Sequence, residues 1–272
     1  MLMEKLAGIG RWFFAICLCG LAGQEIYFGD FLPIFVPPFP KPMPGQAAAA
    51  YLLSILVVGA AVTLVMEVKT RTVMLLLGGL FLLLFVFCHV PYEVWVNPQG
   101  SHIGAWGNAL KELSMAGGAF VMAGSFPEGH AASPRELTLT RPLEHLIPAG
   151  RIFFSIMVVV FGIEHFLYAE FVQSLVPAWI PGHLFWTYFA AVALIGSGLA
   201  IIFRIRTTQV AILLGIMIFL WFIVLHIPRG LAAPVADRGN ELSSVFESLG
   251  DSGIAFVIAY IYAALPQLKL SR

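Results

Sequence analysis

GRIFF at residues 150–154 repeats GRWFF at residues 10–14, 140 positions earlier, and this echo decides how the chain is read. Working outward, Val36-Pro37 returns as Val176-Pro177 at the same offset. Pro44-Gly45 returns as Pro181-Gly182 at an offset of 137, and the register then holds through Tyr51/Tyr188, Gly59/Gly196, Val73/Val210 and Gly78/Gly215. His89 in HVP faces His226 in HIP, and AFV at 119–121 faces AFV at 255–257 at an offset of 136. Apolar segments resemble one another by chance, but matched Arg, Pro, Gly and His at a near-constant offset do not. The chain therefore reads as a tandem duplication. Its halves are residues 1–125 and 149–272, joined by a linker at 126–148.

Composition places both halves in a membrane. Sixty percent of the residues are apolar and 11% charged, and the mean hydropathy is +0.91. A soluble domain carries charge on about a quarter of its residues. Net charge is zero and no basic run exists, so nucleic acid is not an expected partner; the lipid bilayer is. Cys17, Cys19 and Cys88 all lie in apolar stretches without a CxxC, which argues against a disulfide framework or a thiol relay. The basic, apolar N-terminus imitates a signal peptide, but its counterpart at 151–168 is internal, so it reads as a retained helix.

The expected fold is all-α, with eight transmembrane helices at 9–29, 47–66, 72–91, 108–125, 149–169, 185–203, 209–228 and 244–265, each long enough to span about 30 Å of hydrocarbon. Lys5, Lys69, Arg71, Arg135, Arg141, Arg204, Arg206, Lys269 and Arg272 gather on one side, against Lys41, Arg229 and Arg238 on the other. By the positive-inside rule both termini are cytoplasmic. Four helices per half is an even number, so the halves run parallel, as two four-helix bundles related by an axis along the membrane normal. The apolar, Pro-broken connections at 30–46 and 170–184 are too short to cross. They read either as lids dipping inward, anchored by Phe39 and Trp179, or as plain interfacial loops.

GIEHFLYAEFVQSLVPAWIPGHLFWTYFAAVALIGSGLAI, at residues 162–201, followed by LLGIMIFLWFIVLHIPR at 213–229, resembles the DoxX-like family of bacterial membrane proteins. The resemblance covers about 150–265 and reaches the first half mainly through the repeat. It implies a four-helix unit, here fused in tandem, in the bacterial inner membrane. Some relatives are associated with quinone-linked sulfur oxidation or with redox-stress complexes, so a redox-associated role is implied as well. The chain lacks the cysteine pairs through which some relatives work.

Ionisable side chains inside spans are costly and are functional candidates by default; structural pairing between helices is the competing explanation. Arg11 and Arg151 open the first helix of each half, and Arg151 lies about 21 Å along the axis from His165. Both arginines read as structural, snorkelling to phosphate or capping carbonyls. Lys111, which aligns with Glu247, is also a structural candidate. Toward the outer ends of the helices stand Glu25, Glu164, His165, His89 and His226, with a proline two residues after each of the last two that discourages further helix. Glu247 and Asp251 are spaced i,i+4, share a face and repel; a shared proton, or a cation between them such as Arg229, would relieve this.

These residues, Glu25, His89, Glu164, His165, His226, Arg229, Glu247 and Asp251, map to the outer third of the bilayer and are denser in the second half, which suggests one working site. A histidine beside a carboxylate at that depth suits proton relay or hydrogen bonding to a quinone. Haem or a metal is disfavoured, because no HxxxH or HExxH spacing exists. A small-solute carrier and a non-catalytic anchor for a partner enzyme, docked on 126–148, are the alternatives. No residue pattern identifies an enzyme, a substrate or a cofactor.

Overall fold

The computed structural model of the protein describes residues 1–38, 44–127 and 140–270, with side chains as far as residue 264. Phe39, Lys41, His130, Arg135 and Arg272, the side chain of Lys269, and most of the linker expected to dock a partner lie outside the described residues. The described residues are helical and contain no strand. The first four long helices are α1 (Leu2–Phe28), α2 (Gln46–Met66), α3 (Thr70–Leu84) and α4 (Gly107–Gly124). They are followed by α5 (Ile147–Leu167), the short α6 (Ala169–Leu175), α7 (His183–Ile202), α8 (Thr207–Trp221) and α9 (Asn240–Leu270). Seven helical segments are long and apolar enough to cross a membrane, so the chain is an integral membrane protein. A helix lies at each of the eight expected positions, but α4 is not among those seven, so seven candidate crossings stand where eight were expected. The reason is its position. Leu110, Glu112 and every residue from Leu113 to Ala123 are buried against protein, so α4 carries Ser114, Gly117 and Gly118 where a lipid-facing helix would carry Leu. The α8 segment is the opposite case, with 17% of its apolar window buried, and Leu213, Ile216 and Leu220 are exposed on its surface.

Small residues set the tightest helix contacts. A Cβ added at Gly10 would lie 2.6 Å from the Gly253 carbonyl oxygen, and one at Gly253 would lie 2.5 Å from that of Gly10, so α1 and α9 touch backbone to backbone. The same reciprocal contact joins α4 to α5, where a Cβ at Gly117 would lie 2.5 Å from the Gly150 oxygen. Such close approach maximises dispersion contacts where lipid supplies no hydrophobic drive. The α2–α3 and α7–α8 turns also match. Glu67 and Lys69 in one, and Arg204 and Arg206 in the other, adopt positive φ, a conformation costing about 1–2 kcal/mol for a residue with a Cβ.

The expectation that proline ends the helices at Pro91 and Pro228 is corrected. Each helix widens into a π-turn, Phe85–His89 or Phe222–His226, and runs on, to Val96 and Ala232 respectively. Proline lacks an N–H and collides with the carbonyl four residues back; a wider turn just before it shifts that carbonyl and lets the helix continue. Val90 N–H accordingly donates to Phe85 O, and Ile227 N–H to Phe222 O. α1 starts seven residues before its expected position because Leu2–Gly8 continue the helix beyond the apolar segment.

The two Pro-broken connections differ. Leu32, Ile34, Phe35 and Val36 are buried, and Phe35 stacks on Phe81 of α3 with ring centroids 5.5 Å apart. Residues 32–36 of the first connection therefore dip into the bundle. The second forms α6 and leaves Trp179 73% exposed.

Candidate functional site

At the end of the bundle opposite Arg11 and Arg151 lies a partly open cavity of about 400 Å³, lined by the second half and by Lys111 of α4. Four long helices supply its ionisable groups: His165 from α5, His226 and Arg229 from the continuation of α8, Glu241, Glu247 and Asp251 from α9, and Lys111 from α4. Apolar side chains such as Phe161, Leu175 and Ile218 complete the walls. The π-turn is what aims His226. In an α-helix residues five apart stand about 140° around the axis; the wider turn reduces that angle and sets Trp221 and His226 on one wall. π-turns of this kind concentrate at functional sites.

The repulsion between Glu247 and Asp251 is relieved by α4, not by Arg229. Lys111 Nζ lies 2.7 Å from Glu247 Oε2, and Ser114 Oγ donates to Asp251 Oδ1 at 3.0 Å. Arg229 instead grips Glu241 with two donors, its Nε at 2.9 Å from Oε2 and its Nη2 on Oε1, a bidentate pairing that fixes both side chains. Lys111, read as structural, is thus both an ion-pair partner and a wall of the cavity. His165 Nδ1 donates to Phe161 O at 2.7 Å, so the neutral ring presents its Nε2 lone pair as an acceptor.

Not every candidate joins this site. Glu25 is fully buried in the first half, where its carboxylate accepts from Ser54 Oγ at 2.7 Å and from Leu32 N–H at 3.2 Å. His89 Nε2 donates to the Ile34 carbonyl at 2.9 Å. Both therefore pin the inward-dipping connection. Glu164 does not line the cavity; its Oε1 is buried without a hydrogen-bond partner. The expectation of a single cluster is corrected accordingly: five of the eight candidates gather in the second half, and His89 lines a separate cavity of about 230 Å³. Glu247 and Asn240 line both cavities and form part of the partition between them.

The difference between the halves has a steric cause. At the repeat offsets, Phe35 corresponds to Leu175 and Phe81 to Ile218. Two stacked rings occupy this place in the first half, whereas in the second half two aliphatic side chains line the cavity. Ile34, which supplies the partner of His89, corresponds to Ser174, whose hydroxyl turns to Phe171 O and is exposed.

Arg11 and Arg151 cap carbonyls at the far end, one of the two roles expected of them. Arg11 donates to Ser125 O at 2.9 Å and pairs with Glu67 at 2.9 Å, while Arg151 donates to Ile201 O and Ile202 O at 2.6 and 2.8 Å. Sequence reading missed Glu241, Asn240 and Glu93, and also Glu112, a fully buried carboxyl whose two oxygens have no hydrogen-bond partner. Glu112 was visible in the sequence as a second charge beside Lys111; Glu241 was obscured because its stretch reads as a loop. Among the described residues, no group of three or more His, Cys, Asp or Glu side chains is placed to hold a metal ion. Compared with known proteins, the chain matches no family model, no curated protein and no solved structure.

Proposed function

We propose that the chain is a DoxX-like, redox-associated subunit of the bacterial inner membrane that binds a quinone-class molecule, or relays its protons, in the cavity of the second half. The fold behind this reading is two fused four-helix units in parallel, with α4 as an eighth, protein-enclosed crossing, both termini cytoplasmic and the cavity toward the outer face. The reciprocal glycine contacts and the matched positive-φ turns support the two-unit arrangement. One observation carries the functional reading: a mostly apolar room of about 400 Å³ whose convergent polar groups are His165, His226, Arg229, Glu247, Asp251 and Lys111. A ligand site is commonly a mostly apolar pocket of about 300–1,000 Å³ with a few placed polar groups.

The chemistry suits a quinone headgroup. Imidazole N–H donates to a carbonyl oxygen and the imidazole lone pair accepts from a hydroquinone hydroxyl. Glu247 and Asp251, bridged to α4 by Lys111 and Ser114, offer carboxylates to carry a proton from the cavity toward its neighbour. The test is an optical and mass-spectrometric inventory of what co-purifies from native membranes in mild detergent. Stoichiometric quinone, lost in His226→Ala and His165→Ala while the fold persists, is the expected result. A stable protein that retains no quinone and binds none when supplied rejects it, and leaves a small-solute carrier or a scaffold for a partner enzyme.

A further inference from the structure

A second depression lies on the membrane-facing side of the same half. Between α7 and α8, Phe189, Ala193 and Ser197 on one helix and Leu213, Ile216 and Leu220 on the other line an apolar cleft of about 730 Å³. From Trp186 to Ser197 it follows eleven residues of α7, about 16 Å of helix. Trp186, Met217 and Trp221 line both the cleft and the cavity described above. The two indoles meet edge to face, with ring centroids 6.2 Å apart and planes at 78°. Both are half-buried. Trp186 also packs edge to face on Phe189 of its own helix, with ring centroids 5.7 Å apart. A partition of three side chains, two of them in mutual edge-to-face contact, therefore separates the cavity with its ionisable groups from the apolar face of the bundle.

We infer that the ligand of the cavity is an amphiphile that enters sideways from the bilayer between α7 and α8, its polar head passing Trp186 and Trp221 and its hydrocarbon chain remaining in the cleft. The inference rests on the reading of the cavity as a ligand site, and it adds the class of ligand, one with a long apolar tail, and its route. Head and tail then have separate hosts. The cavity offers imidazole, guanidinium and carboxylate groups, and the cleft offers Leu, Ile and Phe surface. Small residues at Ala193 and Ser197 leave room along α7 for a chain. The indoles suit the boundary, since an indole presents an apolar body and one N–H donor.

The experiment uses the full chain in lipid nanodiscs, with Trp12, Trp95, Trp106 and Trp179 changed to phenylalanine so that Trp186 and Trp221 are the emitters. Phosphatidylcholine brominated along its chains is expected to quench this emission strongly, and the cleft-filling pair Ala193→Phe with Ser197→Phe is expected to abolish most of the quenching. A decyl-tailed benzoquinone is expected to bind about tenfold or more tighter than its tail-less headgroup. The filled variant should lose that advantage yet keep its affinity for the headgroup, which also shows that it folds. Absence of quenching, or equal affinity for tailed and tail-less probes, overturns the sideways route and leaves the quinone reading standing. Chain quenching without binding of either quinone has the opposite meaning: the route stands for another amphiphile and the quinone reading falls.

Discussion

Lys111 on α4 and Glu247 on α9 occupy positions that correspond in the sequence repeat, yet they carry opposite charges and meet at 2.7 Å. The pair is largely buried, with side chains 18% and 7% exposed. Matched positions with reversed sign join the two inner helices directly. A buried pair contributes little net stability by itself, but breaking it leaves an uncompensated charge. Glu247→Gln or Lys111→Met alone should therefore destabilise the protein by about 3–5 kcal/mol. The double change Lys111→Met with Glu247→Leu should recover most of that loss. Thermal unfolding in detergent distinguishes the cases; additive losses in the double variant would contradict the pairing.

The glycine contacts yield a second expectation. Gly150→Ala places a methyl group 2.7 Å from the Gly117 oxygen, and overpacking of this kind costs about 1–3 kcal/mol. Gly59→Ala, where nothing lies within 4 Å, should instead be neutral or stabilising by up to about 1 kcal/mol, since alanine favours helix over glycine. The two variants belong in one unfolding series, and equal behaviour would remove the argument for backbone contact.

The two histidines should separate by phenotype. His89→Ala removes the donor to the Ile34 carbonyl and should cost about 1–3 kcal/mol through an unsatisfied buried acceptor, with no effect on ligand retention. His226→Ala removes a group lining the cavity, so ligand retention should fall with little change in melting temperature. Swapped outcomes would place the working site in the first half.

Copying the first half's plug into the second is the most direct test of the cavity. Leu175→Phe with Ile218→Phe reproduces the Phe35–Phe81 stack at the corresponding positions. Ligand retention should be lost while the melting temperature holds or rises, because the rings fill empty space. The reverse change, Phe35→Ala, should cost about 3–5 kcal/mol as a large-to-small core substitution. Undiminished ligand binding in the plugged variant, measured by the same co-purification, would exclude the cavity as its site.

Most of the helical plan was legible in the sequence, because bilayer thickness forces apolar runs of a fixed length on any helix that faces lipid. α2, α7 and the start of α3 fall within two residues of expectation. Where the reading failed, the cause was local chemistry with two outcomes. Proline after His89 and His226 permits either a helix end or a wider turn, and only packing of the following residues against the bundle selects the second. α4 was expected as one more lipid-spanning helix, although its Ser and Gly residues already marked it as enclosed by protein.

The sequence by itself determined the class of fold, the spacing of the spans and the stock of ionisable groups at one end, since each follows from the cost of exposing polar groups to lipid. Tertiary structure decided which of those groups meet. Lys111 rather than Arg229 reaches Glu247 because α4 packs at the centre beside α9, a proximity with no local signature. Likewise, whether an apolar connection fills its bundle or leaves it hollow depends on Phe35 meeting Phe81 across 46 residues of chain, while Leu175 and Ile218 leave open space. Periodicity records which face of a helix is apolar; it does not record the volume left between two such faces, and that volume is where the candidate site lies.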